Sequence, residues 1–84
     1  MRLDKYLKVS RLIKRRSVAK ELVEKGRVLL NNNVAKPSSE VHVDDILLIH
    51  MGSTKLNVKV TKLAEFTRKD DASLMYELLQ ETVL

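Results

Sequence analysis

Apolar and polar positions along this chain change their rhythm at Gly26, helical before it and extended after it. Leu3, Tyr6 and Leu7 fall at the i, i+3, i+4 spacing of one buried helix face. Arg2, Lys5 and Lys8 step along another side of the same helix, and Asp4 sits in its first turn, where it can pair with Lys8 one turn on. Residues 9–16 read as a basic connector anchored by Leu12 and Ile13. Ser17 then serves as N-cap for a second helix, Val18 to Lys25, whose core stripe is Val18, Ala19, Leu22 and Val23. Glu21 and Lys25 form a favourable i, i+4 pair, and Gly26 ends the helix by taking the left-handed conformation. Neither helix is long enough to be stable alone, so both need a shared core.

Beyond Gly26, Val28-Leu29-Leu30 and Val34-Ala35 flank Asn31-Asn32-Asn33, a tight-turn composition because asparagine tolerates positive φ. Lys36 to Ser39 is a loop, Ile46 to Ile49 a short apolar strand, and Gly52 to Lys55 a turn. Leu56, Val58 and Val60 alternate with polar residues, as in a half-buried strand. Residues 62–70 read as a polar linker around Phe66. Leu74, Met75, Leu78 and Leu79 predict a final helix from about Asp71 to Thr82. The order helix, helix, hairpin, strands, helix makes an α+β fold, and 84 residues predict one domain over 1–84.

Charge adds a direction to this plan. The first 27 residues hold ten bases against three acids, a net +7, whereas residues 28–84 hold six bases against eight acids, a net −2. A cationic end on a small protein usually faces a polyanion, with a solvated basic face or attraction to anionic lipid as the alternatives. Arg11, Lys14, Arg15 and Arg16 lie just ahead of the second helix, whose N-terminal amides and partial positive charge add to theirs. The chain has three aromatics, Tyr6, Phe66 and Tyr76, too few for a stacking platform. Readout of backbone shape follows, which suits structured RNA and leaves duplex DNA open.

Other chemistries find little support. The two glycines, Gly26 and Gly52, are too far apart to cradle a phosphate. His42 and His50 sit in no nucleophile or triad pattern, and His42 with Asp44 and Asp45 falls short of a convergent metal set. The absence of cysteine excludes disulfides and thiolate sites. No apolar run spans a bilayer and no signal-peptide core follows Met1, so the expectation is a cytoplasmic protein with no membrane partner, no metal, no cofactor and no catalytic residue.

The residues Arg2-Leu3-Asp4-Lys5-Tyr6-Leu7, Arg16-Ser17-Val18-Ala19, Leu22 to Val28, Asn31, Lys36-Pro37-Ser38 and Asp45 fall in the order of the S4-type (alpha-L) RNA-binding domain, which the chain resembles over about residues 1–50. The resemblance implies two helices packed on a small, bent β-sheet, with the helical face on structured RNA; residues 51–84 add strands and the short C-terminal helix. Two positions depart from the family pattern: the hairpin turn is Asn31-Asn32 where Asn-Gly is usual, and Asp44-Asp45 stands for Gly-Asp.

Among stand-alone members, the chain resembles the fifteen-kilodalton heat shock group, which normally carries a long basic C-terminal extension. It is more similar, nearly end to end, to compact bacterial ribosome-associated quality-control factors. That likeness implies a monomeric, non-enzymatic factor on the obstructed large ribosomal subunit. Its partners would be large-subunit ribosomal RNA, peptidyl-tRNA and the protein that adds C-terminal alanine tails. A heat-shock-type recycling factor, a free-standing RNA or DNA regulator and a clipped modification-enzyme domain are the alternatives. Arg2 and Arg16 are the first candidates for RNA contact, with Lys5, Lys8, Arg11, Lys14, Arg15, Lys20 and Lys36 supplying the field around them. Leu3, Tyr6, Leu7, Ala19, Leu22 and Gly26 read as structural.

Overall fold

The computed structural model describes residues 1–83. Helix α1 (Leu3–Val9) and helix α2 (Arg16–Glu24) lead into strands β1 (Val28–Leu30), β2 (Asn33–Val34), β3 (Ile46–Met51) and β4 (Thr54–Val60), then a 3-10 turn (Ala72–Met75) and strand β5 (Tyr76–Val83). The five strands form one sheet in the order β2-β1-β3-β4-β5, with all neighbours antiparallel. Both helices lie on one face of it, and the core between them holds Leu3, Tyr6, Leu7, Ile13, Ala19 and Val23 from the helical layer. Val28, Leu47, Ile49, Val58 and Val60 close it from the sheet.

The α+β expectation with two N-terminal helices holds. So do the hairpin turn and the helix stop. Asn31 and Asn32 take φ of 50° and 69°, the pair of positive angles of a type I′ turn, and Leu30 pairs with Asn33 across it. The Asn31 amide also grips the start of β3, donating to Asp45 at 3.1 Å and accepting from the Ile46 N–H at 2.9 Å. After α2, Gly26 has φ of 75°; its N–H reaches the Val23 carbonyl at 3.0 Å, and the Arg27 N–H reaches that of Leu22 at 3.2 Å. These two bonds make a Schellman closure.

Several expectations are corrected. The final helix does not form: residues 72–75 make a single 3-10 turn and 76–83 pair with β4. The leucine spacing fits a helix, but such a helix would leave the β4 edge unpaired, and pairing outweighs the weak intrinsic preference of so short a segment. Leu78 and Leu79 consequently stay exposed, the strand bulging beside Asn57 and Val58. The N-cap of α2 is Arg15, in extended conformation, and not Ser17. Val18 lies off the buried stripe and faces solvent, whereas Ala19 and Val23 are buried and Leu22 partly so.

Residues 62–70 are more than a linker. Leu63 and Ala64 pack on the core, Glu65 pairs with Lys5, and the Thr67 hydroxyl donates to the Val9 carbonyl at 2.6 Å. The Tyr6 hydroxyl, fully buried, donates to the Met75 carbonyl at 2.7 Å and so ties α1 to the entry of β5. Burial, with Tyr76 nearby, pushes its phenol well above the usual range. No helix among the described residues is long and apolar enough to cross a membrane.

Candidate RNA-binding surface

The basic N-terminal segment is organised around one acid. Asp4, in the first turn of α1, is buried. Its carboxylate accepts from Arg2 Nε at 3.2 Å, from Arg2 Nη2 at 3.3 Å, from Arg16 Nη2 at 3.3 Å and from the Lys5 N–H at 2.8 Å. Burial alone would raise the Asp4 carboxyl, but the hydrogen bonds from Arg16, Arg2 and the Lys5 amide outweigh it and hold the group below its usual range. The expected Asp4–Lys8 pair does not form, because two guanidinium groups with tertiary reach take the place of one lysine a turn away.

Those guanidinium groups remain about half exposed, Arg2 at 51% and Arg16 at 48%, so each is oriented from within and open to solvent without. A guanidinium has five N–H donors; Asp4 occupies two on Arg2 and one on Arg16. The group as a whole is cationic and presents fixed forks, the geometry that meets phosphate oxygens in pairs.

Arg16 also opens α2, and this helix end is free. No side chain caps it, and the N–H groups of Arg16, Ser17 and Val18 make no hydrogen bond among the described residues. The start of α1 is different: its Leu3 and Asp4 N–H groups donate to the carbonyls of Ser39 and Pro37 at 2.8 and 3.1 Å. That contact docks the 36–39 loop against α1 and brings Lys36 to the neighbourhood of Arg2 and Asp4.

The remaining bases divide. Lys8, Lys14, Arg15, Lys20 and Lys36 are exposed and form no ion pair among the described residues. Lys5 is held by Glu65 and belongs to the flank where residues 63–67 cross α1. Arg11 sits at the far end of α1 with φ of 62°, a left-handed angle that glycine adopts at less cost, and its guanidinium reaches the Thr67 carbonyl at 3.5 Å. Sequence patterning missed Asp4 as the organising group. The only signal was an acid set among bases, twelve positions before its second arginine.

Neither histidine stands in a catalytic constellation here. His42 lies 3.8 Å from Asp45, whose carboxylate accepts the His42 backbone N–H at 2.8 Å, and His50 faces Lys55 on β4. Among the described residues no group of three histidine, cysteine or acidic side chains converges on a common point.

Comparison with known proteins matches the S4 domain model to residues 1–47. The chain is 52% identical over 82 residues to the RQC P-site tRNA stabilizing factor of Streptococcus pneumoniae, covering 98% of this chain and 93% of that one. It is 36% identical over 84 residues to heat shock protein 15 of Escherichia coli, covering 99% of this chain and 63% of that one. A trimeric structure of Vibrio cholerae heat shock protein 15 superposes with a TM-score of 0.88 at 32% identity, over 93% of this chain and 80% of that one.

Proposed function

The chain belongs to the S4 domain family, and from that premise we propose that it is a non-enzymatic RNA-binding factor of the obstructed large ribosomal subunit. In this reading it grips ribosomal RNA together with the peptidyl-tRNA, in the cytoplasm and as a monomer. The name of its relatives, which are P-site tRNA stabilizing factors, supports the tRNA half of this reading. A tRNA held in place keeps the stalled nascent chain in position for a partner protein that extends it with C-terminal alanines.

The observation that carries the reading is the Arg2–Asp4–Arg16 group beside the open end of α2. Two guanidinium forks fixed by one buried carboxylate lose little conformational freedom on meeting phosphates, and the free amides of Arg16 to Val18 lie in the helix turn that Arg16 itself opens. Lys8, Lys14, Arg15, Lys20 and Lys36 supply the surrounding field, with Lys5 and Arg11 on its flank toward Glu65 and Thr67. With few aromatics and a rigid cationic surface, recognition is of backbone shape.

Binding of this kind releases condensed counterions. With about five phosphates neutralised, affinity for a structured ribosomal RNA fragment falls on the order of 100-fold between about 50 and 200 mM salt. Flat binding across that range contradicts the reading, and so does equal competition by duplex DNA of the same length.

A further inference from the structure

RNA contact at Arg2 and Arg16 engages one end of α2, and the other end carries a separate cationic cleft. Past Gly26 the Arg27 carbonyl accepts the His50 N–H at 2.8 Å, and His50 pairs across the sheet with Lys55. Arg27, His50 and Lys55 thus form a row over three adjacent backbone segments, spanning about 10 Å at the usual strand spacing. Leu29 and Leu48, directly paired, make the next row on this face, since Val28, Leu47 and Ile49 point the opposite way into the core. With Lys25 and Gly26 these residues line a cleft of about 410 Å³ on the sheet face turned away from the core.

No carboxylate lines this cleft. Arg27 and Lys55 form no ion pair among the described residues, and Lys25 shares its charge with Glu21 at 2.9 Å. The nine residues of α2 hold the cleft about 14 Å from Arg16, with Glu21 and Glu24 exposed between. The cationic surface is therefore in two pieces.

We propose that this cleft is a second RNA-backbone site, taking phosphates of a strand distinct from the one at Arg2 and Arg16, so that one molecule clamps two RNA elements together. The proposal rests on the reading that the Arg2–Arg16 surface binds RNA. Arg27 and Lys55 meet two phosphates of one strand, and the aliphatic floor of Leu29 and Leu48 takes the edge of a ribose. A protein occupant fits poorly, because two half-buried leucines are far from the roughly 800 Å² per partner of a stable protein interface. A dense polyanion needs no such area, since counterion release supplies the binding.

The test uses the full chain and a short RNA hairpin as probe, with the hairpins per protein counted by native mass spectrometry at low salt. The wild type carries two hairpins. The double variant Arg27→Gln/Lys55→Gln carries one and keeps the wild-type melting temperature, because both side chains lie outside the core; Arg27→Glu/Lys55→Glu gives the same count. Arg16→Glu also carries one, held at the cleft. Two hairpins on the double variant, or one on the wild type, overturns the proposal. So does a result in which the double variant loses only a poly-glutamate peptide, since the cleft then serves an acidic protein. Two hairpins retained by Arg16→Glu, with one on the double variant, instead sinks the Arg2–Arg16 reading and leaves the cleft standing.

Discussion

The buried carboxylate of Asp4 lies 3.3 Å from the guanidinium of Arg16, twelve residues further along the chain, and joins the first turn of α1 to the first turn of α2. The same carboxylate orients Arg2. Asp4→Asn keeps the shape and removes the charge. Stability falls by about 1–2 kcal/mol, the value of charged hydrogen bonds discounted for the exposure of both arginines. RNA affinity falls about 10-fold although Asp4 itself touches no phosphate and the variant is one unit more positive. Urea denaturation and titration with an RNA fragment measure the two effects, and a gain in affinity from the added positive charge would show that orientation is unimportant.

The same carboxylate gives the fold an acid sensitivity of known sign. Its folded pKa lies below the ordinary value of 3.8, so its contribution is complete above that value and is lost as pH falls through the lower folded pKa. Melting temperatures of wild type and Asp4→Asn therefore converge as the pH is lowered from about 5 to 2. Parallel curves would place the acid sensitivity elsewhere.

The hydroxyl of Tyr6 is the one link from α1 to the Met75 carbonyl, which also accepts the Thr61 N–H at 2.9 Å. Tyr6→Phe leaves that carbonyl satisfied and removes one buried hydrogen bond, costing about 1 kcal/mol. RNA affinity stays at the wild-type level. A change in affinity without loss of stability would contradict a structural role for Tyr6.

Gly26 ends α2 at φ of 75°, and a Cβ there would meet no atom within 4 Å. Gly26→Ala therefore costs only the left-handed backbone, about 1 kcal/mol, with no clash added. A urea midpoint that drops at constant slope reads this directly. A loss of several kcal/mol would mean that the space is not free.

The helical half of the fold was legible because Leu3, Tyr6 and Leu7 have nowhere to go but a shared core, and because Gly26 and Asn31-Asn32 satisfy angles few residues accept. The last strand was not, since Leu74, Met75, Leu78 and Leu79 suit a helix as well as they suit anything, and the deciding contact is with β4, far back in the chain. The bases of the candidate site were readable as a set but not as an arrangement. Lys8 lies at the favoured helical spacing from Asp4, yet only tertiary folding reveals that Arg16 takes the carboxylate and that Glu65 takes Lys5.

Gradient sedimentation with large ribosomal subunits carrying peptidyl-tRNA tests the central claim most directly. The wild-type protein travels with those subunits, Lys69→Glu travels with them equally, and Arg16→Glu stays at the top of the gradient. A wild-type protein that remains at the top with obstructed subunits present, or an Arg16→Glu variant that travels with them undiminished, contradicts the account.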